Sequence, residues 1–197
     1  MCPHAHQVYC LHQKPASSTA PFGLKTNTTP TGSYLEALNP LTVTLGVQNV
    51  SFVAQAVDWI PEVLFDILDA AYRHKGFSFV RIIQRCPEFL PGMFDPYLQD
   101  PLRTQLLFHE GGLKISPGIA KVYQNRLEHD PSNMDRAREV ASVADPIPFG
   151  LLHRTAIVPR LAALPHARHL RTPTHLPAAP PPPLAPTPAR TPAPPPP

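Results

Sequence analysis

Apolar and polar positions recur in clear periods between residues 40 and 87, and far less clearly on either side. Asn39 is placed to cap a helix and Pro40 suits its first position, so a short helix to about Val47 is expected. Val50-Ser51-Phe52-Val53-Ala54 is a short run rich in β-formers and predicts a strand. From Pro61 onward, Val63, Leu64, Ile67, Leu68 and Ala71 recur at three-to-four spacing, the stripe of an amphipathic helix. His74 and Lys75 suit the negative end of that helix, and Gly76 its stop. Phe77-Ser78-Phe79-Val80-Arg81-Ile82-Ile83 predicts a second strand. Strand, helix, strand in this order predicts a βαβ unit with a right-handed crossover and a parallel sheet, so the fold class is α/β.

Outside this stretch the pattern weakens. Residues 1–39 are dominated by Pro, Ser, Thr and Gly and read as a long loop, which inside a compact domain is either functional or dependent on something else. Two further helices are expected, around residues 119–125 and 133–140, the second with Arg136 and Arg138 beside Asp135 and Glu139. After Gly150 the chain drifts into Pro/Ala repeats. The expected organisation is a loop region over residues 1–39, a folded α/β part over 40–150 and a disordered or polyproline II tail over 151–197.

Charge follows the same division. The 197-residue chain carries 17 basic and 14 acidic residues, a net of +3. No Asp or Glu follows Asp145, while Arg154, Arg160, Arg168, Arg171 and Arg190 do. Without those five arginines, residues 1–145 hold 12 basic and 14 acidic residues, a net of −2. The basic character thus belongs to the tail and argues against a nucleic-acid-binding face on the folded part. No apolar run is long enough to span a membrane. Three cysteines, Cys2, Cys10 and Cys86, are too few for a disulfide framework, so a reducing, cytoplasmic setting is expected.

The run from Tyr9 to Pro148 resembles the C-terminal portion of the thiamine-diphosphate-binding β subunit of 2-oxoacid:ferredoxin oxidoreductases, above all the 2-oxoglutarate-using type. Thr28-Thr29-Pro30-Thr31-Gly32 resembles the family's T-T-P-x-G loop. Asn39-Pro40-Leu41 and the strand after it resemble its helix and its A-T-F-V-A-R strand. His74-Lys75-Gly76-Phe77-Ser78-Phe79, leading to Gln84-Arg85-Cys86-Pro87, resembles its H-K-G-F-S-F strand ending in a cysteine, and Asp145-Pro146-Ile147-Pro148 its late D-P-I-P segment. The family's C-x-x-C pair, further cysteine and G-D-G motif have no counterpart here. Both ends leave the family pattern, as a truncated or frameshifted gene would make them do.

The resemblance implies the rest. The fold would be part of a thiamine-diphosphate-binding domain. Cys86 would be one of four ligands of a 4Fe–4S cluster. His6 falls where the family has its Mg²⁺-ligand Asn, and Val8 where a backbone carbonyl binds the metal. Tyr9, Leu11, Ala16 and Ser17 match the family's cofactor loop, while Cys10, His12, Lys14 and Pro15 depart from it. His6, Val8, Tyr9 and Leu11 are therefore the candidate cofactor-loop positions. A His is a poor replacement for an oxygen ligand to Mg²⁺, and Cys10 lacks the close backbone approach that Gly allows. The implied reaction is oxidative decarboxylation of a 2-oxoacid with coenzyme A, with electrons leaving through the cluster to ferredoxin and an α subunit completing the site. Without G-D-G, the chain alone is expected to be inactive. Two other readings stand beside this one. One is a non-enzymatic interaction protein with a Pro-rich tail that binds Pro-recognising domains. The other is a zinc module built from Cys2, His4, His6, Cys10 and His12, whose spacing fits no established zinc pattern.

Overall fold

The computed structural model describes residues 4–5, 16–26, 28–88, 91–110, 112–113, 115 and 116–155. They form a six-stranded sheet flanked by helices. In chain order the elements are β1 (His4–Ala5), α1 (Pro40–Leu45), β2 (Phe52–Val57), α2 (Pro61–Arg73), β3 (Ser78–Ile83), α3 (Asp95–Gln99), β4 (Thr104–Phe108), α4 (Pro117–Val122), β5 (Arg126–Glu128), α5 (Met134–Ser142) and β6 (Ile147–Arg154).

The expected βαβ unit is present. Strands β2 and β3 pair in parallel with Phe52 opposite Ser78 and Val57 opposite Ile83, and α2 crosses between them. Pro61 starts α2 as its sequence suggests, and Val63 and Ile67 are buried beneath it. Leu68 lies at the edge of that stripe, 36% exposed. The helix stops at His74, whose backbone is extended; Gly76 is not its cap. Gly76 is required instead by close packing, since a Cβ there would sit 2.5 Å from Ser51 Oγ and 2.8 Å from His74 Nε2. His74 does not serve the helix dipole as a charge either. It is buried, its Nε2 is 3.0 Å from Ser51 Oγ, and burial, with Arg154 adding to it, holds its pKa below the ordinary histidine value.

The sheet order is β1-β3-β2-β6-β4-β5. It consists of two parallel blocks, β1-β3-β2 and β6-β4-β5, joined where β2 and β6 run antiparallel. The sheet is therefore mixed, with most strand pairs parallel. The expected helix over 119–125 is shorter and earlier, because Tyr123 caps it and the chain then forms β5. The helix expected over 133–140 is α5, with Asn133 as its N-cap and ion pairs Arg136–Glu139 at 2.6 Å and Arg138–Asp135 at 3.2 Å.

The largest departure lies at residue 150. Strand β6 runs straight through it to Arg154 and is buried over all but its last residue. Composition places a boundary there because the Pro-rich stretch begins soon afterwards, but Leu151, Leu152 and His153 fill the sheet's centre. Thr155 N still donates to Ser51 O at 2.9 Å. Residues 156–197 lie outside the described residues, as does the expectation of a disordered tail.

Both sheet faces are covered. Phe52, Ala54, Val80, Phe149 and Leu151 pack with α2 residues Val63 and Ile67 on one face. Val53, Phe79, Leu107 and Leu152 pack with Leu41 and Leu45 of α1 and with Ala137, Val140 and Ala141 of α5 on the other. Asn39 links the helices of the second face: Oδ1 caps α1 by accepting from Leu41 N at 3.0 Å, and Nδ2 donates to Ala141 O at 2.6 Å.

Candidate functional site at the carboxyl end of the parallel strands

Parallel strands end together, and ligands of open α/β sheets bind beyond their carboxyl ends. Here β2 and β3 end side by side. Asp58 N donates to Ile83 O at 3.0 Å, and the Asp58 carboxylate takes Arg85 N at 3.0 Å and Arg85 Nε at 3.0 Å. The chain leaves the ladder at Ile83 because Arg85 N turns to this carboxylate. Cys86 consequently lies three residues beyond the end of β3, in an isolated bridge just before the turn at 87–88.

Cys86 is half-buried and lines a cleft of about 230 Å³ with Arg85, Pro87, Gly92, Met93, Phe94 and Asp95. The far wall is shaped by Gly92, whose φ of +74° suits glycine, and by Asp95, whose N–H bonds back to Gly92 O at 3.1 Å. Phe94 fixes that wall through ring contacts to Trp59 at 5.7 Å and to Tyr97 at 6.2 Å. Thiolate sulfur in such a cleft is suited to a soft metal. A 4Fe–4S cluster takes four protein ligands, and Cys86 is the one cysteine among the described residues. These residues do not fit a whole cluster by themselves. No group of three or more His, Cys, Asp and Glu side chains that could hold a metal ion occurs among them.

The second expected site is reached only in part. His6, Val8, Tyr9 and Leu11 lie outside the described residues, as do Cys2, Cys10, His12 and the side chains of His4 and Ala5. Downstream, the Thr/Pro/Gly loop closes on itself. Gly23 N donates to Ser33 O at 2.7 Å and Ser33 N to Leu24 O at 3.0 Å, with Thr26 and Thr29 bridged at its tip. Gly32, at φ +93°, lets the two arms touch, because a Cβ there would meet Gly23 O at 2.9 Å. Leu38 N donates to Ser18 O at 2.8 Å, and this closes the loop at its base.

Sequence reasoning missed the polar groups inside the sheet. Gln55 and Arg81 are direct cross-strand partners of β2 and β3. Gln55 is 2% exposed; its Nε2 donates to Pro148 O at 2.5 Å, and its Oε1 has no partner. Arg81 Nε is buried without a partner, and burial lowers its pKa from the ordinary arginine value. The signal was available in the strand period: Phe79, Arg81 and Ile83 share one phase, so a charge stands where alternation calls for an apolar side chain.

Among the described residues no helix is long and apolar enough to cross a membrane. No protein-family model matches the chain. The KorB subunit of 2-oxoglutarate oxidoreductase from Mycobacterium tuberculosis is 30% identical over 140 residues, which is 71% of this chain and 36% of that protein. The β subunit of a 2-oxoacid:ferredoxin oxidoreductase from Saccharolobus solfataricus is 29% identical over 86 residues, 44% of this chain and 28% of that one. A β subunit from Aeropyrum pernix is 32% identical over 83 residues, 42% of this chain and 26% of its own length. Among solved structures, the 2-oxoglutarate:ferredoxin oxidoreductase of Magnetococcus marinus, with 2-oxoglutarate, coenzyme A and succinyl-CoA bound, superposes with a TM-score of 0.60 at 26% identity. That likeness covers 78% of this chain and 46% of that one. The chain spans between 26% and 36% of the length of these curated relatives. By sequence and by fold, the chain is related to a portion of the β subunit of the 2-oxoacid:ferredoxin oxidoreductases.

Proposed function

We propose that this chain is the portion of a 2-oxoacid:ferredoxin oxidoreductase β subunit that supplies one cluster ligand, Cys86, and that by itself it catalyses no reaction. The observation that carries this reading is the place of Cys86: a half-buried thiol just beyond β3, at the carboxyl end of the parallel strands and in a cleft walled by Met93 and Phe94. Completed by the upstream part of the subunit, the site would hold a 4Fe–4S cluster, with thiamine diphosphate and Mg²⁺ bound through the segment containing His6, Val8, Tyr9 and Leu11. The partners of the completed enzyme would be an α subunit, a 2-oxoacid such as 2-oxoglutarate, coenzyme A and ferredoxin. Thiamine diphosphate would supply the carbanion chemistry of decarboxylation, and the protein would position it.

The test is a hybrid in which the upstream region of a relative is joined to this chain and expressed with that relative's α subunit. The hybrid should develop the broad absorption near about 400 nm that iron–sulfur charge transfer gives. Cys86→Ser should lose or weaken it while thiamine diphosphate binding survives. A serine variant with a full cluster and full electron transfer would make Cys86 a packing residue and overturn the proposal.

A further inference from the structure

Helix α2 is apolar on two opposite sides. Its inner side seats Val63 and Ile67 on the sheet. Phe65, Leu68 and Tyr72 follow one another at three- and four-residue spacing and, at roughly 100° per residue, point away from the sheet. Phe65 is 70% exposed and Tyr72 89%. A surface helix ordinarily carries polar side chains on this side. Two aromatic rings and a leucine in one stripe are therefore a contact surface and not scattered surface hydrophobes.

The charges beside the stripe are divided along the helix. Glu62 and Asp66 lie on one flank in its first half, Arg73 lies on the same flank at its end, and Lys75 follows just beyond. Glu62, Asp66 and Lys75 have no ion-pair partner among the described residues, while Arg73 pairs with Asp69 at 2.8 Å. An acidic first half and a basic second half complement each other when two such helices run antiparallel. With a twofold axis between Leu68 and Asp69, Phe65 of each copy falls opposite Tyr72 of the other, and Glu62 opposite Lys75. The two Leu68 side chains meet near the axis. The two Asp69 carboxylates also approach there, each already paired with its own Arg73. A parallel pairing would instead set Glu62 against Glu62.

We propose that a second copy of this chain docks on α2, giving a twofold dimer of antiparallel α2 helices. Phe65, Leu68 and Tyr72 form its core, and Glu62–Lys75 contacts close its two ends. A 13-residue helix is about 20 Å long. The contact is therefore smaller than the roughly 1,200–2,000 Å² of a stable complex, and the dimer is weak and reversible. It uses neither Cys86 nor the cleft beside it, and so goes beyond the cluster-ligand reading.

Sedimentation equilibrium of the full chain, from about 5 μM to about 500 μM, is the test. The chain should pass reversibly from monomer to dimer with a midpoint on the order of 100 μM, as befits a small interface. Phe65→Ser and Tyr72→Ser should each weaken association by about tenfold or more. Both side chains are exposed, so both variants should keep the fold, which circular dichroism checks; if one does not, the other decides. Glu62→Lys and Lys75→Glu should each weaken association as well, because each sets like charges together twice per dimer. Mixed in equal amounts, these two variants should associate more tightly than either alone, since every contact then pairs opposite charges again. A chain that stays monomeric over the whole range overturns the proposal. A dimer that neither serine variant weakens would lie on another face and overturns it too. A mixture of the charge variants no tighter than either alone would rule out the antiparallel register.

Discussion

Ser51 Oγ stands 3.0 Å from His74 Nε2 and donates its own proton to Phe77 O at 2.9 Å, so the imidazole must present an N–H to the hydroxyl at Nε2. The ring also packs against Phe52, centroid to centroid at 5.4 Å. A neutral histidine fits this site. Its pKa is held below the ordinary histidine value, first by burial and then by Arg154, and burial likewise lowers that of His153. The unfolded chain therefore takes up protons that the folded chain refuses between about pH 6.5 and the depressed folded values. The stabilisation is present above that window and is lost as pH falls through it. A melting series from about pH 7.5 to about pH 5.5 should show a falling Tm, and His74→Gln should flatten part of the slope. A Tm that is level or rising towards acid would show that these rings are not kept neutral.

Gly76→Ala should be destabilising although Gly76 is not a helix cap. The added methyl would meet Ser51 Oγ at 2.5 Å and His74 Nε2 at 2.8 Å, and overpacking of this kind costs roughly 1–3 kcal/mol. Ser51→Ala should relieve part of that clash, so the double variant should be less destabilised than the sum of the two single ones. Denaturant midpoints measure both. Additive costs would place the strain elsewhere.

A chain ending at Gly150 should fail to fold, because it deletes half of the strand that joins the two parallel blocks. Leu151, Leu152 and His153 are each 5% exposed or less. Gly150→Ala in the full chain tests the same junction more gently. Its φ of +131° disfavours any L side chain, and a Cβ would sit 2.9 Å from Leu107 Cβ and 3.0 Å from Leu107 O. Far-UV circular dichroism and melting should show loss of the cooperative transition for the first and a clear drop in Tm for the second.

Asn39→Ala should cost about 1–3 kcal/mol, combining a lost N-cap with a lost hydrogen bond from Nδ2 to Ala141 O. Asn39→Asp should recover only the cap, since a carboxylate has no N–H to donate to Ala141 O. Equal stability of the Asp variant and the wild type, measured by urea unfolding, would mean that the tie between α1 and α5 contributes nothing.

The purified chain should not bind thiamine diphosphate with Mg²⁺ tighter than roughly 100 μM, equivalent to about 5.5 kcal/mol. The argument is chemical: the chain contains no G-D-G, and His6 and Cys10 stand where the resemblance calls for an oxygen ligand and a Gly. Calorimetry settles it, and a tighter isotherm would show that the missing motif was overrated.

The sequence by itself determined the elements whose signals are local. The caps Asn39 and Asn133, Pro61 at the start of α2, the apolar stripe of Val63 and Ile67 and the β-rich runs beside them specify helix or strand through contacts a few residues apart. The order of these elements then made the parallel β2–β3 pair legible. The ordered motifs from Thr28 to Pro148 carried the family resemblance without any fold at all. What only the tertiary structure decided depends on partners far along the chain. Strand β6 lies inside a stretch that composition assigns partly to a tail, and it is a strand because β2 and β4 flank it on both sides. His74 does end the helix, but Gly76 is not its cap, and both belong to a packed contact because Ser51, more than twenty positions earlier, lies against both. Cys86 owes its place beyond the strand to the Asp58 carboxylate, which draws Arg85 out of the ladder. Arg81 is legible in one dimension as a charge in an apolar strand phase, but its pairing with Gln55 is not. Strand register, set by pairing across the sheet, places them opposite each other and buries Gln55 Oε1 and Arg81 Nε without partners.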